Sequence, residues 1–344
     1  MAGAGLCLPA NALSSLTELG LADEVKRTAF LTRYWDILTR RGSQLNRIYL
    51  NQYFGESIAF GAISRADLQR LLIEKLGKTN CYFSDGVAEF SCLDDRVVVG
   101  TKSGQHLEAK GLIAADGIYS EIRQTQYADV TVDNTGVWAW RFLVDRPKDL
   151  NEPRYYIDSG LFVLLQPCSE TEMYVGIVAA YTSLPAGLKQ DIANRSAIFA
   201  HLRTRMPEVT ECFFSEGEKA FRHFHSAAIN TLSRVVWGKG RVMIIGDAAH
   251  ACPPALQQGG SLALEDSLSF AKILSHTPNF LKAKAQFISE RQARVQYIFN
   301  QSKKLIKQLS EIKHEQGEEA LSARYERLKQ HPPENFEIWR ELFS

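Results

Sequence analysis

An apolar strand, Arg241–Ile245, runs into Gly246-Asp247-Ala248-Ala249-His250 and then through Pro253-Pro254 to Gln258-Gly259-Gly260. No other stretch of the chain constrains its fold as much. A strand ending in a carboxylate, a glycine-bearing loop and a following helix, roughly Ser261–Leu274, is how open α/β sheets build a ligand crevice at the carboxyl ends of their strands. In that arrangement Asp247 accepts hydrogen bonds from ligand hydroxyls. Gly259 and Gly260 lack a Cβ, so a ligand can reach their backbone. The helix start offers free N–H groups and a partial positive charge, which suits a group that becomes anionic.

Two further segments point the same way. Leu112-Ile113-Ala114-Ala115-Asp116-Gly117 is a short, buried-type strand ending in an Asp-Gly turn, followed by Ser120-Glu121-Ile122-Arg123. The turn opens a crevice, and Arg123 is of the type that pairs with phosphate oxygens. Ser64-Arg65-Ala66-Asp67 precedes Leu68, Leu71, Leu72 and Leu76 at helical spacing. Ser64 and Asp67 form a variant of the capping box, which sets Arg65 in the first helical turn. A solvated arginine on a capped helix is the alternative for Arg65.

These stretches resemble the FAD-dependent aromatic hydroxylases, the class A flavoprotein monooxygenases of the para-hydroxybenzoate hydroxylase fold. The family pattern is Gly-Asp-Ala-Ala-His, one or two prolines, Gly-Gln-Gly, then a helix carrying Glu-Asp. Here it runs Gly246–His250, Pro253-Pro254, Gln258-Gly259 and Glu265-Asp266, with Gln257 where the family usually has glycine. The resemblance extends from Gly3 to about Leu309 and implies an α/β fold. Its parts are a doubly wound, Rossmann-like FAD/NAD(P)-binding domain, an inserted β-sheet substrate domain and C-terminal helices. On this reading residues 1–39, 61–125 and 238–275 form the FAD domain, 40–60 and 126–237 the substrate domain, and 276–344 the helical region.

The activity implied is hydroxylation of a small aromatic or related ring, with NAD(P)H reducing FAD and O2 as oxidant. The resemblance sets Asp247 on ribityl or pyrophosphate-side hydroxyls, with Gly246 and Pro254 in its loop, and Gly259-Gly260 at the reduced ring. Asp116, Gly117 and Arg123 would frame the nucleotide entrance, and Arg65 would lie near the flavin. No protein nucleophile and no metal are implied. His250 reads as structural and Cys252 as a small filler.

The family also begins with a strand, a Gly-x-Gly-x-x-Gly turn for the pyrophosphate and an acidic residue for the ribose. Gly3-Ala4-Gly5 has no strand before it and no third glycine after it. Its continuation to Leu13 resembles the segment after the second family strand. The chain is therefore expected to enter the family fold about 35–45 residues late, by the usual size of such a unit. On that reading it holds FAD weakly, purifies largely colourless and self-associates through exposed sheet. A flavin-domain remnant with little turnover and another flavin oxidoreductase of the same fold remain as alternatives.

Composition narrows the class. A net charge of +1, from 40 Lys/Arg against 39 Asp/Glu, gives no electrostatic footprint for nucleic acid. Six scattered cysteines without Cys-x-x-Cys spacing read as reduced thiols of a cytoplasmic protein. No apolar run reaches membrane-spanning length. Elsewhere the pattern predicts a helix over Pro9–Leu19, strand pieces in Arg40–Phe60, and a β meander in Cys81–Lys110. Strands are also expected at Val137–Val144, Phe162–Leu165 and Met173–Ala179, with a helix near Asp191–Met206. Residues 281–313 carry eight Lys/Arg against two Glu, with Val295, Ile298, Phe299, Ser302, Ile306 and Leu309 in one stripe. We read this as a core-packing helix with a solvated basic face.

Trp138 and Trp140 read as alternating sheet residues. Arg141 is balanced between holding a substrate carboxylate and a structural ion pair. His223 and His225, without a third ligand, do not make a metal site. Asn230-Thr231-Leu232-Ser233 stands where the family usually has Asp-Arg-x-Pro.

Overall fold

A computed structural model describes residues 4–54, 60–77, 81–213, 217–311 and 318–343. Its organising element is a pair of short strands, Val242–Ile244 and Leu112–Ala114, hydrogen-bonded in parallel with Ile244 opposite Ala114. Parallel pairing brings both carboxyl ends to one edge, so the turns at Asp116-Gly117 and Gly246-Asp247 open side by side. The Ile245 N–H extends the ladder to the Ala114 carbonyl at 3.0 Å. Beside this pair stand a three-stranded antiparallel sheet, ordered Gly5–Leu8, Phe60–Ser64, Phe30–Thr32, and the meander Val87–Cys92, Val97–Thr101, His106–Ala109.

The large sheet has seven strands in the order Arg222–Leu232, Val132–Asp145, Glu172–Ala180, Leu161–Pro167, Arg154–Ile157, Tyr34–Thr39, Gln44–Tyr49. All neighbours are antiparallel except Arg154–Ile157 with Tyr34–Thr39. The sheet thus takes in Tyr34–Thr39, where Trp35 and Ile37 alternate inward and are buried.

Period-two alternation gives this sheet two working faces. Trp140, Phe142, Val144, Val175 and Ile177 pack on Ile198 and Leu202 of the Arg195–Arg205 helix. Both tryptophan indoles find acceptors, Trp140 on the Ile192 carbonyl at 2.7 Å and Trp138 on Ser226 Oγ at 2.8 Å. The opposite face carries Val137, Ala139 and Ile229 against Ile306, and Leu143 against Ala4 and Ala62. That face looks at the small sheet and the long helix, and so at the flank of the crevice.

The long helix is one continuous element, Phe280–Ser310, with Phe287, Val295, Ile298, Phe299, Ser302 and Ile306 buried along the expected stripe. Its basic residues divide. Lys282, Lys304 and Lys307 are solvated as expected, but four others turn inward, which corrects the reading of a wholly solvated charged face. Lys303 donates to the Leu232 carbonyl at 3.2 Å, and Arg291 and Arg294 reach carboxylates on the neighbouring helix. Buried Lys284 donates to the carbonyls of Gly238, Gly240 and Val242 at 2.8, 3.0 and 2.7 Å. It fastens the tight turn that feeds the crevice strand. Lys313 lies outside the described residues.

Lys284→Met keeps most of the volume and removes all three donors. It should destabilise the fold by roughly 1–3 kcal/mol, read as a lower urea midpoint at unchanged m-value.

Candidate functional site

The crevice loop is built by backbone constraints. Gly246 sits at φ +59°, and a Cβ there would stand 3.3 Å from Ala263 Cβ, so both conformation and space select glycine. The short helix Asp247–His250 follows, with Ala248, Ala249 and His250 buried and Asp247 exposed. Its carboxylate is the one side chain of that turn directed outward. Pro254 opens the 3-10 turn Pro254–Leu256, and Gln257 then adopts a left-handed conformation at φ +56°, ψ +26°. This is the position where the family usually has glycine, and the structure supplies the reason. A non-glycine residue in that region carries a strain of about 1 kcal/mol.

The Gly259–His276 helix starts at Gln258 without a side-chain cap, so its first N–H groups face the crevice unpaired by any side chain. A Cβ on Gly259 would meet Asp247 Oδ1 at 3.7 Å, and one on Gly260 would meet Leu6 at 3.4 Å. The two glycines therefore leave a bare backbone cradle between the Asp247 carboxylate and the Gly5–Leu8 strand. Buried polar atoms cluster there: Asn11 Oδ1, Gln258 Nε2 and Ser261 Oγ have no protein partner among the described residues. A planar ring system with hydrogen-bonding edges fits this surface, and FAD is such a group.

Beneath the cradle lies a charged network that sequence reasoning missed. Asp266, fully buried, accepts from the Gly246 N–H at 3.3 Å and from Arg291 Nε and Nη2 at 3.1 and 3.0 Å. His250 Nε2 lies 2.6 Å from Oδ2, the oxygen that also accepts from Gly246, while Arg291 holds Oδ1. Burial pushes the Asp266 carboxyl up, but His250, Arg291 and the Gly246 amide outweigh it and hold it below the usual range. Glu265 accepts from Arg291, Arg294 and Asn11, and these likewise outweigh burial. Asn11 also donates to Gln258 Oε1 at 2.9 Å, which ties the network to the helix start. His250 is structural, as read from the sequence. The available signal was an adjacent acidic pair in an otherwise apolar helix, with two arginines one helix later.

The second motif divides. Asp116 is exposed and Gly117 has φ +82°, so this turn opens beside the first as expected. Ser120 caps its helix by accepting from the Arg123 N–H at 2.9 Å. Arg123 itself corrects the expectation of phosphate pairing. It is fully buried, and its guanidinium donates to the Ala248 carbonyl at 2.9 Å and the Ile118 carbonyl at 2.6 Å. It is an internal strut between the two motifs. Arg65 lies where predicted, in the first turn of the Arg65–Leu76 helix, which Ser64 caps by accepting from the Asp67 N–H. Its side chain is exposed, and its N–H donates to the Ala4 carbonyl at 3.0 Å. Asn230 donates to the Tyr119 hydroxyl at 3.0 Å, so the segment departing from the family pattern touches the second motif.

The profile of the FAD binding domain family matches residues 4–293. The chain belongs to that family. It is 27% identical to 2-heptyl-3-hydroxy-4(1H)-quinolone synthase of Pseudomonas aeruginosa, over 87% of this chain and 78% of that protein. It is 25% identical to 3-hydroxybenzoate 6-hydroxylase of Polaromonas naphthalenivorans, over 97% of this chain and 84% of that protein. The fold superposes on Klebsiella pneumoniae HpxO complexed with FAD and uric acid with a TM-score of 0.83, at 22% identity, covering 100% of this chain and 88% of that one. The protein is thus an FAD-dependent monooxygenase of the aromatic hydroxylase type, with NAD(P)H as co-substrate. Among the described residues, no helix is long and apolar enough to cross a membrane and no cluster of metal-ligating side chains occurs.

Gln257→Gly should relieve the left-handed strain and raise stability by up to about 1 kcal/mol, whereas Gln257→Val should lower it; thermal unfolding of the pair reads both signs. Arg291→Met removes the guanidinium shared by buried Asp266 and half-buried Glu265 and should cost about 3–5 kcal/mol. Denaturant titration checks this, with a loss below 1 kcal/mol contradicting the network's role.

Proposed function

We propose that this protein hydroxylates a small aromatic or heteroaromatic ring, holding the FAD ring in the cradle formed by Asp247, Gly259 and Gly260. The single observation carrying this reading is the exposed Asp247 carboxylate beside an uncapped, glycine-started helix at the joint carboxyl edge of two parallel strands. Relatives named for ring substrates support it, among them a urate hydroxylase of Klebsiella pneumoniae. When bound, FAD supplies the redox chemistry that inserts an oxygen atom from O2 into the ring.

The chain's own residues position and stabilise. Asp247 accepts from ligand hydroxyls, while the free N–H groups at residues 259 and 260 meet negative charge that develops on reduction. Gly246 and Pro254 hold the loop that aims Asp247. Asp116 and Gly117 keep the neighbouring turn open as the nucleotide entrance, and Arg65 adds positive charge at its flank. We assign Arg123 to supporting this edge from within. The division of labour we favour has the strand pair and crevice helix as the FAD part, the seven-stranded sheet as the substrate part, and the residues from 276 onward as a helical brace.

Ile113, 45% exposed on the parallel strand pair, offers an apolar spot for self-association. The five described free cysteines support a reducing, cytoplasmic setting. An oxidase on the same fold is the second reading, and the two differ in where oxygen goes.

Asp247→Ala and Gly259→Val should each weaken FAD binding by about tenfold or more, since one charge-assisted contact is worth roughly 1–3 kcal/mol. Arg234→Ala, which breaks an exposed pair with Asp129 and a cation–π contact with Tyr127, both away from the cradle, should bind FAD as the parent does. Flavin fluorescence titration measures all three. NAD(P)H oxidation that accelerates with a ring substrate and yields hydroxylated product supports the monooxygenase; stoichiometric peroxide without ring substrate marks the oxidase. Full FAD occupancy in both crevice variants would sink the assignment.

A further inference from the structure

The peptide plane between Leu256 and Gln257 carries the strain of the crevice loop, and a helix distant in sequence fixes it. Gln257 stands at φ +56°, ψ +26°. Turning that plane over changes ψ of Leu256 and φ of Gln257 together and leaves the remaining torsions nearly untouched. It is therefore the shortest route for Gln257 out of the left-handed region. Hydrogen bonds at both edges of the plane oppose the rotation. The Gln257 N–H donates to the Pro254 carbonyl at 3.0 Å. The Leu256 carbonyl accepts from the Trp339 indole Nε1 at 3.1 Å, a contact that spans 83 residues of chain. Leu256 is fully buried, so its carbonyl has no bulk water to turn to instead.

Trp339 is seated too firmly to follow a moving carbonyl. It lies on the Glu334–Phe343 helix with Phe336 one turn earlier, and both side chains are buried. The indole meets Phe336 edge-on at 4.8 Å between ring centres, Trp35 edge-on at 6.0 Å, and Phe60 at 5.4 Å. Trp35 belongs to the large sheet and Phe60 to the small one, so the ring is wedged where both sheets meet the crevice loop. Further along the same helix, Glu341 accepts from the Tyr297 hydroxyl of the long helix. On the other side of Gln257, Asn11 holds the Gln258 side chain at 2.9 Å, and the Gln258 carbonyl accepts from the Leu262 N–H at 2.8 Å. A strained residue persists only where its neighbours over-determine it. Leu256 and Gln258 do so here.

Resting on the FAD cradle assigned above, we propose that Trp339 is a positioning residue for flavin binding. Its indole N–H locks the Leu256–Gln257 peptide plane and so keeps the N–H groups of Gly259 and Gly260 aimed at the ring. Once released, the plane turns over, Gln257 relaxes, and the first turn of the crevice helix loses its orientation. A glycine at 257 would hold positive φ without help. With glutamine in that place the turn depends on an outside clamp, and Trp339 supplies it. The indole touches no ligand in this role. It acts through one carbonyl, and it makes the Glu334–Phe343 helix part of the flavin site.

The test is a double-mutant cycle on the full chain. FAD affinity is read by flavin fluorescence, the ring's surroundings by visible circular dichroism, and stability by the urea midpoint of the FAD-free protein. Trp339→Phe keeps an aromatic ring and removes the donor. It should weaken FAD binding roughly tenfold, the worth of one hydrogen bond to a buried carbonyl, and alter the flavin dichroism. Benzothienylalanine at position 339 keeps the double ring and puts sulfur in place of the N–H, so it should reproduce the loss with the packing intact. Gln257→Gly alone should bind FAD at least as tightly as the parent. Combined with Trp339→Phe it should recover most of the loss, because glycine needs no clamp. Phe336→Leu is the packing control, expected to lower the urea midpoint and leave FAD affinity near the parent's. Unchanged FAD affinity in Trp339→Phe overturns the proposal. So does a loss that Gln257→Gly fails to restore, or an equal loss in Phe336→Leu, since either makes Trp339 ordinary packing. Asp247→Ala separates this inference from the reading beneath it. If that variant binds FAD as the parent does, the cradle is refuted; if it weakens FAD and Trp339→Phe does not, only the lock is.

Discussion

Everything at the crevice hangs on one buried carboxylate. Asp266 accepts from a backbone amide of the Gly246 turn, from His250 and from Arg291 of the long helix, so a single side chain joins loop, helix and brace. A charge in that position is tolerable only because donors surround it. Remove one and the penalty falls on the turn whose φ of +59° lets Asp247 face outward. The ligand-facing geometry is therefore set from behind, by residues that no ligand touches. Glu265 repeats the device one residue earlier and extends it to Asn11 and Gln258 at the helix start.

The crevice was legible because its information is local. A strand, a glycine with positive φ and a glycine-started helix are written in consecutive residues, and Ser64 with Asp67 announces its own helix. Even the departure at Gln257 was visible as an exception, although only its left-handed φ says why glycine is usual there. Residue types that serve two purposes were harder. Arg123 has the right chemistry for phosphate, but the chain buries it against the Ile118 carbonyl close by and the Ala248 carbonyl far along the sequence, and nothing near Arg123 records the second contact. The same applies to Lys284, Arg291 and Lys303. A helix rich in basic residues reads as a solvated face until the carbonyls and carboxylates waiting inside are known.

The large sheet shows a related limit. Alternation located Val132–Asp145, Leu161–Pro167 and Glu172–Ala180, and the Trp138–Trp140 pattern correctly indicated sheet, but Tyr34–Thr39 and Arg154–Ile157 were not read as strands. Strand order and register are long-range properties. Only the pairing of Arg141 with His225 on one side and Gly176 on the other turns three separate residues into one cluster. From the sequence alone, Arg141 had equal claims to an ion pair and to a ligand. In the structure its partner is the Tyr174 hydroxyl rather than a carboxylate of the described residues.

The Gly5–Leu8 strand divides two compartments by the parity of residue number. Gly5 meets Tyr174, and Cys7 packs against the cluster that holds Trp35, Ile37 and Phe162 of the large sheet. Leu6 borders Gly260 and, like Leu264, packs against the cluster in which Leu8 lies with Leu16 and Ile63. A substitution at an odd position reshapes the space on the sheet side, and one at an even position reshapes the space beside the crevice helix. A displacement of the backbone would move both walls together. Side-chain drift could thus diversify what the protein accepts while its redox compartment stays as it is, and the two would change in concert only when the strand itself shifts.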